Sequence, residues 1–186
     1  MRKTAEFVSP KHPDKLCDRI SDNILDYCLT QDPNSRVAIE VQGGHGFINI
    51  NGEITTNIKS ELPINDLVEE VVGNEYRIQV KITQQSSEIA QGVDTGGAGD
   101  QGIMIGYACR ENDEFLPQEY YLSRELNKFV FREYPFDGKT QVTIDGNDLS
   151  VVCSFQNAPT KELTELVNTF FTNSTYTIKA LHINPA

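Results

Sequence analysis

The chain has 186 residues, enough for one ordinary domain or two small ones. Hydrophobic residues make up 38% and charged residues 23%, so a globular chain with a core is expected. The formal net charge of -11 opposes nucleic-acid binding, because a phosphate backbone would be repelled, but a local group of lysines can still hold a small anion.

No apolar run opens the chain and no stretch approaches a membrane span, so neither an export signal nor a membrane partner is expected. Cys17, Cys28, Cys109 and Cys153 form no CxxC pair and read as reduced thiols packed like small hydrophobes. Three unclustered histidines make a zinc site an unfavourable reading.

From Asp14 to Gln31 the apolar residues Leu16, Cys17, Ile20, Ile24 and Cys28 recur every three to four positions, which predicts an amphipathic helix. Pro13 suits its first turn and Pro33 marks its end. Arg36 to Gln42 alternates through Val37, Ile39 and Val41, and after Gly43-Gly44-His45-Gly46 a second strand runs from Phe47 to Thr56, making a hairpin. Leu67, Val68, Val71 and Val72 predict a short helix closed by Gly73, and Tyr76 to Thr83 alternates again. The second half repeats this order: a helix over Gln118 to Glu133, strands over Lys139 to Ile144 and Leu149 to Phe155 joined at Asp145-Gly146, a helix with face Leu163, Leu166, Val167, Phe170 and Phe171, and a strand from Thr175 to His182. Two copies of one α-β-β-α-β unit imply an α+β fold, each copy a sheet with helices on one face. Val37, Ile39, Ile78, Val80 and Ile82 should pack under Ile20 and Ile24, and Val142, Val151, Leu166, Phe170 and Ile178 should form the second core. A flat apolar sheet face left over would need an oligomer to cover it.

Two short runs carry candidate chemistry. His12-Pro13-Asp14-Lys15 puts an imidazole, a carboxylate and an ammonium at a helix start. Gly97-Ala98-Gly99-Asp100-Gln101-Gly102 is a glycine-rich loop with one carboxylate. A phosphate and its metal ion need such partners: N–H groups and lysine for the phosphate, carboxylate for the metal. The loop matches GxGxxG formally. A polar loop precedes it and a strand-like apolar run, Ile103 to Ala108, follows, so the dinucleotide fingerprint is rejected, and no GxxxxGK[ST] is present. Asp18, Asp22 and Asp26 continue Asp14 at every fourth position, a solvated face that drifts around the helix and cannot converge on one ion. Glu40 and Glu53 lie on the hairpin, Glu40 opposite the Val37 and Ile39 face. Asp137-Gly138-Lys139 opens the second unit's first strand.

Taken together, the segments resemble the S-adenosylmethionine synthetase (methionine adenosyltransferase) family. The resemblance rests on His12 to Asp18 with Ile20-Ser21-Asp22, on Gln31 to Ala38, on Gly52 to Thr56, on Gln85 to Asp94, on Gly97 to Gly102, on Gly106-Tyr107-Ala108, on Lys139 to Thr143, and on His182-Ile183-Asn184-Pro185. These are collinear and span nearly the whole chain. The resemblance implies synthetase-like repeats, residues 13–108 forming the first with a gate loop at 84–102, and 1–12 plus 109–186 forming the second. It implies attack of the methionine sulfur on C5′ of ATP, departure of the triphosphate and its hydrolysis to pyrophosphate and phosphate, with magnesium and potassium ions as cofactors in a cytoplasmic enzyme. His12 would stabilise the leaving oxygen, Lys15 and Lys139 would contact phosphate, and Asp100 and Asp137 would complete the ATP site. Glu53 and Gln85 would hold methionine, Asp14 would bind magnesium and Glu40 potassium. The chain departs from the family pattern at Lys11, where glycine is usual, and in a shorter gate loop. It ends at Pro185-Ala186, before the family's second glycine-rich loop with its phosphate-binding Arg and Lys and before its third repeat. A short or split synthetase completed by a second copy or by a chain supplying the third repeat is therefore expected, the alternative being a non-catalytic subunit that binds a full-length synthetase.

Overall fold

The computed structural model describes residues 1–86, 90, 91, 93, 96–98 and 101–185. Among these, seven strands and four helices follow in the order β1 (Lys3–Val8), α1 (Pro13–Gln31), β2 (Arg36–Gly44), β3 (Phe47–Thr55), α2 (Ile64–Val72), β4 (Arg77–Thr83), α3 (Gln118–Glu133), β5 (Gly138–Asp145), β6 (Asp148–Phe155), α4 (Thr160–Phe170) and β7 (Thr177–Ile183). They form two compact units, Leu16–Ile105 and Met1–Lys15 with Gly106–Ala186.

The Leu16–Ile105 unit has a three-stranded sheet in the order β2-β3-β4. β2 and β3 pair antiparallel, and β3 and β4 pair parallel. Residue alternation puts Ile48, Ile50 and Ile54 of β3 inward, against Ile20, Ile24 and Cys28 of α1 and Ile64, Leu67 and Val68 of α2, all buried. The Asn23 amide donates to the Leu67 carbonyl at 2.9 Å and ties the two helices together. Val37, Ile39, Ile78 and Ile82 pack at the margin of this core, but Val80 is 41% exposed. The central strand supplies the deepest residues because it has neighbours on both sides, whereas Val80 belongs to an edge strand.

The other unit repeats the pattern with α3, β5, β6, α4 and β7. Its sheet has the order β1-β5-β6-β7, because the N-terminal strand adds antiparallel to β5. β5 and β6 are antiparallel and β6 and β7 parallel, as in the first unit's hairpin and third strand. Leu122, Leu126 and Val130 of α3 and Leu163 and Val167 of α4 cover Val142, Val151 and Cys153. Leu166 is only half-buried, since the helix turns Leu163 and Val167 to the core. Burial pushes the Cys153 thiol up to about 12, so it stays protonated and packs as an apolar group.

Two sequence expectations change. The run Ile103 to Ala108 is not a strand: among the described residues no strand pairs with it, and Ile103, Met104, Ile105 and Tyr107 are exposed. The outward sheet faces are polar rather than apolar, with Glu40, Gln42, Asn49, Asn51, Gln79 and Lys81 on one and Glu6, Lys139, Gln141 and Ser154 on the other. The most exposed run of apolar side chains lies in the 103–107 segment, with Phe115, Val80 and Phe136 exposed singly elsewhere. No helix among the described residues is long and apolar enough to cross a membrane.

Candidate active site

In the unit containing the N-terminus, β1, β5, β6 and β7 end at one edge, and a cavity of about 360 Å³ opens there. His12, Asp137, Lys139 and Ser154 line it, with Gln156 and Asn184. Lys139 and Ser154 are cross-strand partners, so both side chains stand on the same outward face. Gly138 between Asp137 and Lys139 allows the chain to lie against Phe155: a Cβ there would sit 2.3 Å from the buried ring.

Side-chain bonds hold the cavity edge. Asn184, at φ 43, accepts from the Phe155 amide at 3.1 Å, donates to the Ala158 carbonyl at 3.0 Å and donates its own amide to the Cys153 carbonyl at 3.0 Å. The Gln156 amide donates to the Asp137 carbonyl at 2.9 Å. These bonds satisfy backbone groups where the ladder stops.

His12 precedes α1, and the Asp14 amide donates to its Nδ1 at 3.2 Å. That bond occupies the Nδ1 lone pair, so the neutral ring carries its proton on Nε2 and presents an N–H donor. The Asp14 carboxylate lies 3.6 Å from Nδ1, too far for a hydrogen bond, with its side chain 80% exposed. Asp14 and Lys15 occupy the first turn of α1 and do not line the cavity. Lys139 Nζ lies 2.8 Å from Glu6 Oε1 of β1, an exposed ion pair that a stronger anion can displace.

In the Leu16–Ile105 unit, Glu53 and Gln85 share a shallow cavity of about 260 Å³ with Arg36, Val37 and Ala38. The Gln85 backbone N–H donates to Thr55 Oγ1 at 3.2 Å, and Arg36 Nε donates to Gln85 Oε1 at 2.9 Å, so the Gln85 side chain is oriented before any ligand arrives. Glu40 is exposed on the same sheet face, opposite Asn51 in the register. Asp100 lies outside the described residues, as do Ser87, Glu88, Ile89, Gly92, Asp94, Thr95 and Gly99 of the expected gate loop.

The structure therefore gathers His12 with Asp137 and Lys139, and Glu53 with Gln85, while Glu40 lines neither cavity. Sequence reasoning missed Ser154, Gln156, Asn184 and Arg36. For Ser154 a signal existed: counting outward from the Asp145-Gly146 turn pairs Ile144 with Leu149 and, five residues further, Lys139 with Ser154.

Comparison with known proteins matches the chain in two consecutive stretches, which differ from the two compact units in that residues 1–15 go with the first stretch. The N-terminal-domain profile of the S-adenosylmethionine synthetase family matches residues 1–95, and its central-domain profile matches residues 95–186. An S-adenosylmethionine synthase of Prochlorococcus marinus (strain NATL1A) is 40% identical over 184 residues, covering 81% of this chain and 44% of that protein. One of Fusobacterium nucleatum is 45% identical over 160 residues, covering 76% and 41%. A solved S-adenosylmethionine synthetase from Campylobacter jejuni, described as unusual, superposes with a TM-score of 0.82 at 30% identity over 99% of this chain and 58% of that one. The chain spans less than half the length of the two synthases.

Proposed function

Since the chain belongs to the S-adenosylmethionine synthetase family, we propose that it takes part in methionine adenosyl transfer, with the strand-end cavity of His12, Asp137, Lys139 and Ser154 receiving the triphosphate of ATP. The observation that carries this reading is the convergence of an imidazole N–H, an ammonium and a hydroxyl at one edge, donors suited to phosphate oxygens. The sulfur lone pair of methionine attacks C5′, the C5′–O bond breaks, and its electrons leave on the triphosphate oxygen. His12 donates its Nε2–H to that oxygen, and Lys139 exchanges Glu6 for phosphate, so charge is met as it develops. Lys15 adds a second ammonium, and Asp137 and Asp100 orient the nucleotide. Water then cleaves the triphosphate to pyrophosphate and phosphate. Glu53 offers a carboxylate to the methionine ammonium, and Gln85, held by Arg36, its amide.

Magnesium and potassium enter this reading through single carboxylates. No three His, Cys, Asp or Glu side chains gather among the described residues. An exposed carboxylate is the hard oxygen donor that magnesium takes, so Asp14 would hold it at the start of α1. When bound, it neutralises polyphosphate charge. Glu40, beside the Asn51 amide, offers oxygen donors to potassium.

Lys139 is the one lining cation of the strand-end cavity among the described residues, and Glu6 already engages it. A triphosphate needs more positive charge. We therefore infer an oligomer, either a second copy or a chain supplying a third repeat, in a cytoplasmic setting consistent with four free cysteines. The test is adenosylmethionine formation and ATP binding by the purified chain, alone and with a co-expressed complementary chain. Weak ATP binding and little turnover alone, restored by the second chain and lost by more than about a hundredfold in His12→Ala, is expected. Full turnover by the chain alone refutes the need for a partner. The exposed Ile103-Met104-Ile105 run favours a second reading, a non-catalytic subunit of a full-length synthetase. Under that reading His12→Ala leaves the activity of the mixture unchanged.

A further inference from the structure

A hydrogen-bonded antiparallel pair exchanges two backbone bonds, each residue giving its N–H to the other's carbonyl. Ser9 and Gly138 come one step beyond the last β1–β5 register pair, Val8 and Lys139. The Ser9 amide donates to the Gly138 carbonyl at 2.8 Å, but the return bond is not made: the Ser9 carbonyl is turned to the His12 amide, from which it accepts at 3.0 Å. That diversion closes the Ser9–His12 turn. The Gly138 amide donates to Ser9 Oγ at 3.0 Å, and the hydroxyl donates to the Phe136 carbonyl at 2.9 Å. A longer bond from the Lys11 amide reaches the same oxygen at 3.3 Å. Ser9 is fully buried, so water cannot replace any of these partners.

We infer that Ser9 is a positioning residue: its hydroxyl completes the ladder in place of its own carbonyl, freeing that carbonyl to hold the turn that carries His12. One side chain thus couples both sides of the strand-end cavity. The same oxygen grips the peptide groups on either side of Asp137, while the same residue's carbonyl sets the approach of the imidazole. Without the hydroxyl, the buried Gly138 amide loses its partner unless the Ser9 carbonyl turns from the His12 amide back to the ladder. Threonine keeps the hydroxyl and alanine does not. The inference that this matters for ligand binding rests on the reading of the cavity as a triphosphate site.

The experiment uses the full chain, with amide hydrogen exchange at His12 and Gly138 and titration with Mg·ATP. In Ser9→Ala both amides should exchange at least tenfold faster than the remainder of the unit, and Mg·ATP affinity should fall about tenfold, the scale of one net hydrogen bond. Ser9→Thr should restore both within about threefold. A merely structural role would speed exchange across the whole unit and leave the affinity of folded protein unchanged, which overturns the inference, as do unchanged exchange at the two amides or failure of threonine to rescue. If the unaltered chain binds no Mg·ATP, the triphosphate reading falls, and exchange at the two amides alone decides whether Ser9 holds the turn. If Ser9→Ala does not fold, Ser9→Cys, of similar volume with a weakly bonding thiol, carries the same two measurements.

Discussion

The two units share an antiparallel hairpin followed by a parallel third strand, yet they present their candidate chemistry differently. In the unit built from the two ends of the chain, His12, Asp137, Lys139 and Ser154 converge where four strands stop. In the Leu16–Ile105 unit, Glu40 and Glu53 stand out from the face of the sheet, and only Glu53 meets Gln85 in a shallow cavity. The added strand accounts for the contrast. β1 brings the segment leading to His12 alongside β5, and Ser9 and Asn184 tie off the ladder there. A strand end gathers side chains from several strands within a few ångströms, whereas a sheet face spaces them by the pleat.

Gly52 in one unit and Gly138 in the other are sheet glycines where an added Cβ would meet a close obstacle, and substituting them separates the two regions. At Gly52, φ 143, an added Cβ would lie 2.0 Å from the Ala38 carbonyl oxygen, which is backbone and cannot yield. Gly52→Ala should destabilise the Leu16–Ile105 unit by roughly 3 kcal/mol in urea unfolding, while leaving Mg·ATP affinity at the strand-end cavity unchanged. Loss of affinity would show that the contrast between the units is not one of independent sites. At Gly138 the obstacle is the Phe155 ring, which can shift at a cost. Gly138→Ala should cost about 1–3 kcal/mol and also weaken Mg·ATP binding, because Gly138 lines the cavity. Unchanged affinity would mean the cavity tolerates displacement of its floor.

A smaller effect probes the Leu16–Ile105 unit by pH. Asp32, just past α1, accepts from the Asn57 amide at 2.7 Å, the Asn34 amide at 3.1 Å and the Thr56 hydroxyl at 3.2 Å. The Asn57 bond foremost holds its carboxyl below the usual carboxylate range, with burial opposing. A depressed folded pKa gives stability that is fully present above the unfolded value, about 3.9, and is lost as pH falls through the folded value. Asp32→Asn should therefore melt lower than the unaltered chain at pH 7, and the gap should close as the pH falls below the usual carboxylate range. A gap that is constant with pH would assign the effect to packing.

The helices and paired strands were legible because each has an apolar period matched to its core: Ile20, Ile24 and Cys28 along α1, and Val142 against Val151 across the second hairpin. β1 was not legible. Lys3 to Val8 has only a weak alternation, and its strand character comes from pairing with β5, whose register partners run from Ile144 opposite Lys3 to Lys139 opposite Val8, far away in sequence. Ile103 to Ala108 misled for the opposite reason: apolarity suggests a strand, but a strand also needs a hydrogen-bonding neighbour. In the candidate site, His12 and Lys139 stand out by motif, whereas Ser9 is one buried serine whose importance arises from a diverted carbonyl that no local pattern encodes.

The smallest expected effect bears on why the strand-end cavity would be selective for a strong anion. Glu6 and Lys139 pair on the exposed sheet face, so the pair adds under about 0.5 kcal/mol to stability, and Glu6→Gln should leave unfolding nearly unchanged. It should, however, change what Lys139 offers. In the unaltered chain an incoming phosphate must displace a carboxylate and also faces its negative charge. With glutamine both penalties fall, and Mg·ATP affinity should rise about two- to threefold at low ionic strength, the gain shrinking as salt screens the charges. A fall in affinity would mean that Glu6 holds the ammonium in place rather than competing for it. The cavity edge would then be organised by charge pairing as well as by the Ser9 and Asn184 bonds, and its contrast with the open face bearing Glu40 would be sharper.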